Sequence, residues 1–504
     1  MNLSEILAVS ARKFPNKEGF IAGEDRLTYK EVNEYVNRLA NALMQRGIRK
    51  GDKVILFSPN TMEFIYGYFA VQRIGGVIVP VNAKSVTEEL DYIISHSEAK
   101  AFIGHHILFP QVEPLIEKHL LLWITTSDGY SKVENMYSLI ENSSNHDIEC
   151  QLQADELSTM LYTSGTTGKP KGVLFTHHNI LTIASMMCIE VQINDDARLL
   201  HMMPLSHSAP LHLFLVSGTY VGATHVLAST FTPELLLQLV DQEKITHFFG
   251  APVAYLMTAR HPEIDKYDLT SVRRWMYGAS PLSKNEVLLI KERFKTNQLM
   301  CLYGLTEAGP NGTFLSPKEH ETKAGSVGKR AALNCEVRIV NESGEDVKPN
   351  EIGEIIIRGE GNMVGYFKDK EKTEETIKDG WIYSGDLAKV DEDGYIWIVD
   401  RKKDVIISGG VNIYPTEIEN VLKTHPHIID VAIVGIPHPE WGETAKAYVV
   451  ATKPIENLAQ ECKSFLDGKV AKYKIPRLYE QLDELPRNAA GKILKHQLKE
   501  RMKI

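Results

Sequence analysis

The sequence predicts an α/β protein: a large N-terminal domain of mainly parallel sheets with helices plus a small β-barrel-like section, followed by a small α/β C-terminal domain. Its 504 residues suggest about three structural units at a typical size of about 150 residues. Short apolar runs alternate with helical patterns through the first 300 residues. From Arg401 onward there are 17 basic and 13 acidic side chains, although the whole chain has a formal charge of −9. The last fifth therefore differs in character from the rest.

The N-terminal region repeats a strand–helix–strand pattern. KVILF reads as a buried strand, MEFIYGYFAVQRIGG as a helix with a glycine stop, and VIVPV as the next strand. The same pattern returns at THVLAS, at THFFGAP, and at RRWMYGA before QLMCLYG. Continuous apolar strands alternating with helices are typical of parallel sheets covered on both faces.

The pattern changes twice further along the chain. From about residue 324 to 399, the short alternating strands CEVRIVN, GEIIIRG and GYIWIVD predict a small antiparallel, barrel-like section. After Asp400, the helix PTEIENVLKTH and the strands IIDVAIVGI and AKAYVVAT predict a compact α/β unit. The charged segment DRKKD between them predicts domains at residues 1–401 and 402–504.

Composition narrows the function classes. A nucleic-acid-binding protein is usually basic, so a net charge of −9 argues against that class. The basic last fifth indicates either a contact with an anionic ligand or a solvated lysine-rich surface. Five dispersed cysteines without a CxxC pair suit a reducing compartment and oppose a disulfide scaffold or zinc site. No signal peptide is recognisable, and the charge-free run 199–233 is broken by His, Pro and Gly. We expect no transmembrane segment and a cytoplasmic location.

The strongest motif is LYTSGTTGKPKGV, residues 161–173. Its glycines allow sharp turns that bring backbone N–H groups to an anion, while its hydroxyls and amines add donors and charge. The spacing differs from a Walker A loop, and Pro170 disfavours a helix at Lys169. We predict a phosphate-binding loop rather than a flexible surface loop, with the residues Thr163, Ser164, Gly165, Thr166, Thr167, Gly168, Lys169 and Lys171.

A second motif, YGLTEAG, places an aromatic ring, a hydroxyl and a carboxylate within five residues. Tyr303 could pack on a base, Thr306 could touch a phosphate and Glu307 could hold Mg²⁺, which favours one or two carboxylates plus phosphate oxygens. The alternative is a loop that simply ends a strand.

Two further motifs follow. Asp386, after an aromatic run and a glycine, could bind a ribose diol or could be a turn aspartate that satisfies its own backbone. Arg401 suits phosphate or ribose oxygens, or a salt bridge to an acidic neighbour. In PRNAAGKIL, Lys492 follows a turn signal and by itself could equally be an exposed helix residue.

Together, TSGTTGKPKG, YGLTE, SGD…RKKD and the final lysine motif resemble the adenylate-forming superfamily, which includes acyl-CoA and aryl-CoA synthetases. The resemblance implies a hinge to a mobile C-terminal domain, with the active site between the domains. It also implies an ATP-dependent acid–CoA ligase that forms acyl-AMP and pyrophosphate, then acyl-CoA and AMP. Lys492, Thr306 and Glu307 would be catalytic, Glu307 would hold Mg²⁺, and Lys403 would be the hinge.

The resemblance also assigns binding residues. ATP would contact the phosphate loop, Asp386, Arg401, Tyr303, Gly304 and Thr306; adenine would be read by the backbone at Gly278, Ala279 and Ser280, because Cys301 stands where some relatives carry an amide. The acid pocket and its gate would be His207, Leu211, Phe248, Gly250, Ala251 and Gly278, although His207 could also be an ordinary core histidine. CoA would contact Ser408, Gly409, Gly410, Trp441, Tyr473, Lys474 and Arg477.

The charge-free run also bears on the substrate. It offers no partner for a substrate ammonium, and an unpaired buried charge is costly, so we expect a fatty or aryl acid rather than an amino acid. An acyl-AMP ligase that loads a carrier protein and a luciferase-like oxygenase stay open as alternatives, although the hinge and the SGGVN loop favour CoA. A P-loop phosphohydrolase or kinase and a non-catalytic binding protein fit the motifs less well. The sequence leaves a homodimer open.

Overall fold

The computed structural model describes residues 2–163, 169–487 and 493–501. The chain divides into two compact units, Met1–Val337 with Ile357–Ile382, and Arg338–Ile356 with Tyr383–Ile504. The boundary expected between residues 401 and 402 lies inside the second unit and stays a prediction.

A nine-stranded sheet in the first unit contains the four strands predicted between residues 200 and 304. From one edge to the other, its strands are Arg330–Ala331, Gly312–Leu315, Leu299–Gly304, Arg274–Gly278, His247–Gly250, Arg198–His201, Thr224–Leu227, Glu18–Ala22 and Asp25–Thr28. The strands from Leu299–Gly304 to Glu18–Ala22 pair in parallel, and the edge strands pair antiparallel. The predicted parallel arrangement is confirmed.

The first unit has a second sheet, of eight strands. Its order is Gly365–Tyr366, Lys171–Thr176, Leu157–Thr163, Val77–Val81, Lys53–Phe57, Ala101–Gly104, Leu122–Thr125 and Glu134–Asn135. The strands from Leu157–Thr163 to Glu134–Asn135 pair in parallel, whereas Lys171–Thr176 turns back antiparallel on Leu157–Thr163. The predicted phosphate loop therefore connects two strands of one hairpin.

Helices separate these strands as the apolar spacing predicts. Tyr29–Gln45 begins with a capping box, in which the Thr28 hydroxyl accepts from the backbone N–H of Glu31 and the Glu31 carboxylate accepts from that of Thr28. Every residue of Met62–Arg73 except Glu63 is buried, which explains its apolar composition. The other α-helices are Leu3–Lys13, Thr87–Ser97, Met136–Glu141, His177–Glu190, Ser217–Val221, Pro233–Gln242, Pro252–Ala259, Lys284–Arg293, His320–Lys323 and Lys370–Thr376.

Shorter helical segments and a π-helix complete this unit. The π-helix is Ala209–Val216, and it lies inside the charge-free run. The 3₁₀ turns are His106–Gln111, Glu113–Leu115, Ile264–Lys266 and Thr306–Ala308. Searching the described part of the chain finds no helix with both the length and the apolar character that a membrane crossing requires.

A five-stranded sheet corresponds to the predicted antiparallel section. Its strands are Cys335–Val340, Ile352–Gly359, Trp381–Val390 and Ile377–Lys378, with Ile396–Arg401 paired to Trp381–Val390. The pairing of Trp381–Val390 with Ile396–Arg401 is antiparallel and has a bulge between Leu387 and Ala388. The change of pattern in the sequence is confirmed.

The second unit ends in an α/β layer. Its sheet has the order Val411–Ile413, Ile406–Ser408, Gly442–Ala451 and Ile428–His438, with Leu478–Gln481 paired to Gly442–Ala451. Its helices are Pro415–Leu422, Leu458–Leu466 and Lys495–Glu500, and Lys472–Lys474 forms a 3₁₀ turn. The apolar core beneath the sheet includes Ile406, Ile418, Val431, Val449 and Leu466.

A buried ionic cluster joins three segments of the second unit. The Lys495 amine lies 2.8 Å from Oε1 of Glu419, which also accepts from the backbone N–H of Ile433 at 2.7 Å. Asp400 is 4% exposed and accepts from the backbone N–H of Thr416 at 2.9 Å. Burial works to lower the pKa of Lys495, but the Glu419 and Asp400 carboxylates outweigh it and raise that pKa.

We expect Lys495→Met to destabilise the second unit by about 3 kcal/mol, because it leaves the buried Glu419 carboxylate without its cation. Urea unfolding followed by tryptophan fluorescence measures the loss. Lys463→Met, at an exposed position on Leu458–Leu466, is the matched control and should change stability by less than about 0.5 kcal/mol. Equal stability of the two variants would contradict the assignment.

Candidate active site

The predicted adenine and acid-pocket residues lie along one edge of the nine-stranded sheet. Gly304, Gly278 and Gly250 are the last residues of three neighbouring parallel strands, so these strand ends meet at the same edge. Ligands of open α/β sheets bind outside the carboxyl ends of the strands. The structure thus brings Tyr303–Gly304, Gly278–Ser280 and Gly250–Ala251 to the edge where a ligand is expected.

Backbone packing at this edge excludes side chains. A Cβ atom on Gly304 would lie 2.1 Å from the carbonyl oxygen of Pro310, and one on Gly278 would lie 2.7 Å from that of Leu302. Ala279 has φ of 70°, a left-handed conformation that costs a residue with a Cβ about 1 kcal/mol. Such strained positions cluster at ligand sites, and Ala279 and Ser280 are exposed here.

Cys301 is buried beside this edge. Burial raises the pKa of its thiol to about 12, so the thiol is neutral at physiological pH. A buried thiol offers only a weak donor, and recognition of adenine by the backbone at Gly278–Ser280 stays a prediction.

The phosphate loop is held at its two ends by the hairpin. Thr163 and Lys171 face each other as the last antiparallel pair. A strand, rather than a helix, follows the loop, which separates it from the Walker A arrangement. Ser164, Gly165, Thr166, Thr167 and Gly168 lie outside the described residues. Beyond them, the Lys169 amine lies 5.7 Å from the centre of the Tyr92 ring.

Glu307 is bound to a tyrosine that the sequence did not single out. The Tyr366 hydroxyl donates to Oε1 of Glu307 at 2.9 Å, and the Lys171 amine lies 5.2 Å from the centre of the Tyr366 ring. Burial and the Glu307 charge raise the pKa of Tyr366, so its hydroxyl stays protonated as a donor. Burial lowers the pKa of Lys171, and nearby charges including Glu307 oppose that effect. A carboxylate and an amine thus flank one phenol beside the phosphate loop.

These side chains are suited to an anion that brings its own metal. Within the described ranges, no group of three or more His, Cys, Asp or Glu side chains could hold a metal ion. A single carboxylate is what Mg²⁺ takes from a protein when phosphate oxygens and water supply its other ligands. Thr306 lies next to Glu307, and its hydroxyl is 3.0 Å from that of Ser208. Glu307 therefore fits the predicted role with nucleotide-bound Mg²⁺.

His207 precedes the π-helix and has a defined tautomer. The Asn82 amide donates to Nε2 of His207 at 3.0 Å, so the ring carries its proton on Nδ1. Burial lowers the pKa of His207 to about 4, which keeps the ring neutral. The backbone N–H of Leu211, a fully buried residue, donates to the His207 carbonyl at 3.1 Å. π-Helical turns occur frequently at functional sites.

The strand His247–Gly250 presents Phe249, rather than Phe248, to the π-helix. Phe248 packs against the rings of Tyr255 and Trp275, at 5.7 and 5.9 Å between ring centres. Phe249 stacks on Phe214 of the π-helix at 5.1 Å and is partly exposed. Successive side chains of a strand point to opposite faces, so Phe249 is a further candidate for the pocket wall, while the place of Phe248 in that wall stays a prediction.

Asp386 and Arg401 are paired across the second unit's antiparallel strands. Nε of Arg401 lies 2.7 Å from Oδ1 of Asp386, and the two are register partners. The Asp386 backbone N–H donates to the Ser384 hydroxyl at 3.0 Å. The two predicted ribose and phosphate contacts are thus one ion pair, with Arg401 more exposed than Asp386.

Of the predicted hinge and catalytic lysines, the structure describes Lys403 and not Lys492. Lys403 is exposed in the turn that follows Arg401, and its role as the hinge stays a prediction. Lys492 lies outside the described residues. On either side of it, Arg487 and Ile493 pair as an antiparallel bridge.

Most of the predicted CoA contacts lie together in the second unit. Gly409 and Gly410, both with positive φ, form the two-residue turn after Ser408, and the Gly409 N–H donates to the Trp441 carbonyl at 2.9 Å. The Arg477 guanidinium lies 3.3 Å from the centre of the exposed Trp441 ring. Such a stacked cation and indole can receive a base or a phosphate.

Tyr473 and Lys474 fit the CoA assignment less directly. Tyr473 is exposed, but the Lys474 amine is bound to the Glu417 carboxylate at 2.7 Å. Because that amine is already paired, binding an anion with it requires breaking a salt bridge.

Sequence reasoning missed Asn82, Ser208, Phe249 and Tyr366. Asn82 directly follows the buried parallel strand Val77–Val81, and a polar residue at a strand's carboxyl end is a usable signal. Phe249 follows from the period of two once Phe248 is assigned to the core. The segment of Tyr366 is held near Glu307 by the pairing of Gly365–Tyr366 with Lys171–Thr176 and by the hydrogen bond from the Met363 N–H to the Glu307 carbonyl at 2.8 Å, and no local pattern reveals these contacts.

Comparison with known proteins finds matches along almost the whole chain. A family model described as AMP-binding enzyme matches residues 7–367, and one described as AMP-binding enzyme C-terminal domain matches residues 417–492. The chain is 35% identical to a feruloyl-CoA synthase of Amycolatopsis sp, covering 97% of both chains. It is 32% identical to a long-chain-fatty-acid–CoA ligase of Bacillus subtilis (strain 168), covering 99% of this chain and 94% of that one.

A solved structure agrees with these matches. The o-succinylbenzoate CoA synthetase of Bacillus subtilis, in complex with its acyl-adenylate intermediate, superimposes with a TM-score of 0.86 and 30% sequence identity. The match covers 98% of both chains.

Proposed function

The chain belongs to the AMP-binding enzyme family, and on this premise we propose that it is an ATP-dependent carboxylic acid–CoA ligase. The relatives described above are acid–CoA ligases with aryl and fatty acids, and they match this chain over nearly its full length. The observation that supports the proposal is the carboxyl edge of the nine-stranded sheet, where Gly278 and Gly304 end neighbouring parallel strands.

The first half-reaction joins the acid to AMP. A carboxylate oxygen attacks the α-phosphorus of ATP, the bond to the β-phosphate breaks, and pyrophosphate leaves. Both reactants are anions, so the site must neutralise charge between them. We assign this task to Lys492, and we assign the departing pyrophosphate to the phosphate loop and Lys171. Glu307 would hold Mg²⁺, which supplies positive charge to the phosphate oxygens.

The second half-reaction passes the acyl group to a thiol. The sulfur attacks the acyl carbon, the bond to AMP breaks, and the thiol proton is released. Lys492 would occupy the approach to the acyl carbon, so a rotation about Lys403 would remove it and bring Ser408–Gly410 to the thiol channel. Trp441 and Arg477 would bind the CoA nucleotide. The Asp386–Arg401 pair would bind the ribose of ATP.

The acid itself is apolar or aryl. The charge-free run contributes the π-helix and the strands beside it, and no charged side chain stands there to pair with a substrate ammonium or a second carboxylate. The relatives' names include both a fatty and an aryl acid. A cytoplasmic location and a homodimer stay predictions from the sequence.

The function is tested by the products. With ATP, Mg²⁺, CoA and a panel of fatty, aryl and amino acids, we expect AMP and pyrophosphate, and acyl-CoA only when CoA is present. Release of ADP and phosphate would indicate a phosphohydrolase or kinase. Adenylate formation that no CoA consumes would indicate transfer to a carrier protein, and light or oxygen uptake would indicate an oxygenase. Amino acids are the negative control of the panel, because we expect no product from them.

A further inference from the structure

A small cavity of about 10 Å³ lies between the nine-stranded sheet and the π-helix, room for about one water molecule. His201, Met203, Pro210, Phe214 and Phe249 are among the residues that line it. Pro210 belongs to the first turn of the π-helix that follows His207, so the cavity borders the segment next to the predicted gate. Two imidazoles also line it, those of His201 and His247. Both ring nitrogens of His247 already have partners, the Thr246 hydroxyl at 2.7 Å and the Val191 carbonyl oxygen at 3.0 Å, so the search for a free ring nitrogen turns to His201.

His201 is the end of a chain of buried hydrogen bonds. The Thr219 hydroxyl lies 2.8 Å from the carbonyl oxygen of Leu215, and a carbonyl can only accept. The hydroxyl proton is therefore used there, and Thr219 Oγ1 accepts from Nε2 of His225 at 3.2 Å. Because the proton of the neutral His225 ring is on Nε2, its Nδ1 carries no proton and accepts a hydrogen bond from Nε2 of His201 at 2.9 Å.

The direction of this chain requires both imidazoles to be neutral. Burial lowers the pKa of His201 to about 3 and that of His225 well below its ordinary value. A neutral imidazole carries one proton, and each ring has placed it on Nε2. Nδ1 of His201 is thus an acceptor, and within the part of the chain that the structure describes no group donates to it.

We propose that His201 is a specificity residue that selects acids whose buried tail carries a hydrogen-bond donor, such as a hydroxyl group. The acceptor is fixed because Thr219 sets the tautomer of His225, and His225 sets that of His201. An acid with only hydrogen or an ether oxygen at that place leaves the imidazole unpaired, and an unmade buried hydrogen bond is costly. Thr219 acts as a positioning residue, since it reaches the cavity only through two rings. This inference rests on the proposed ligase function.

The test compares acids that differ at one atom. The panel contains phenylpropenoic acids with hydroxyl, methoxy or hydrogen at each ring position, and fatty acids with hydroxyl, methoxy or hydrogen at the terminal carbon. Pyrophosphate release gives kcat/KM for each. For the best skeleton, we expect the hydroxyl acid to exceed its methoxy and unsubstituted counterparts about tenfold, as one neutral hydrogen bond predicts.

Two variants test the direction of the hydrogen-bond chain from Thr219 to His201. Thr219→Val removes the acceptor for His225 Nε2, so the rings can reverse their protons and His201 can donate from Nδ1. The ratio of hydroxyl to methoxy acid should then fall to about 1, because both oxygens accept. Thr258→Val is the matched control: Thr258 is fully buried and its hydroxyl donates to the Ala254 carbonyl at 2.8 Å, but no histidine follows it. The control should keep the tenfold ratio.

Three outcomes decide the matter. A ratio near 1 in the unchanged enzyme, or a preference for the ether, overturns the role of His201. A ratio that Thr219→Val leaves at tenfold overturns the directional chain. Absence of pyrophosphate release with every acid overturns the ligase function instead, and so is distinguishable from failure of the inference.

Discussion

Lys492→Ala should lower the adenylation rate by about 10³-fold, while transfer of the acyl group from preformed acyl-AMP to CoA survives. The lysine is assigned to neutralise two anions as they approach, and a preorganised group that stabilises such charge contributes about 10²–10³-fold or more. Thiolation begins after that repulsion has been overcome, so it does not need the amine. Acid-dependent pyrophosphate release measures the first step, and acyl-CoA formation from synthetic acyl-AMP measures the second.

Lys463→Ala is the control, since it removes an exposed lysine from the same unit and should leave both rates unchanged. If Lys492→Ala slows both half-reactions equally, the lysine acts in binding or in folding rather than in adenylation. Circular dichroism separates the folding explanation, because a folded variant retains the helices of the second unit.

Glu307→Gln should lower kcat/KM for adenylation by about 10²-fold and raise the Mg²⁺ concentration needed for half-maximal rate. Glutamine keeps an oxygen that can accept from the Tyr366 hydroxyl, but it removes the negative charge that a divalent cation requires. This variant therefore separates the effect of the Glu307 charge from the effect of its hydrogen bond with Tyr366. A Mg²⁺ titration at saturating ATP measures the shift.

Tyr366→Phe is the complementary variant, since it removes the hydroxyl that donates to Glu307 and leaves the carboxylate charged. We expect it to lower the rate only about threefold to tenfold, with a small change in Mg²⁺ dependence. An unaltered Mg²⁺ requirement in Glu307→Gln, or an equal effect of the two variants, would remove the metal assignment.

The strands of the fold could be predicted because they are apolar and buried on both faces. THFFGAP, RRWMYGA and QLMCLYG each read as a buried strand ending in a glycine, and their glycines do meet at one edge. The order of these strands in the sheet could not be predicted, because a continuous apolar run does not specify which strand pairs with it or in which register. For the same reason, composition does not say which of the two adjacent phenylalanines, Phe248 or Phe249, faces the core.

The sequence indicated which polar residues belong to the site, but it did not show which of them contact each other. Asp386 and Arg401 are fifteen residues apart in sequence, and only the hairpin makes them an ion pair. The contact between Tyr366 and Glu307 depends on a short strand that joins the eight-stranded sheet from a distant part of the chain. Such contacts come from topology, which a single sequence does not encode locally.

The glycine-lined edge has a practical consequence for redesign. Since no Cβ fits at Gly278 or Gly304, mutagenesis cannot retune the nucleotide end of the cleft there without displacing main chain. The residues that line the small cavity instead include replaceable side chains. A library that diversifies Met203, Phe214 and Phe249 while sparing the glycines should therefore yield variants with new acid preferences and unchanged use of ATP.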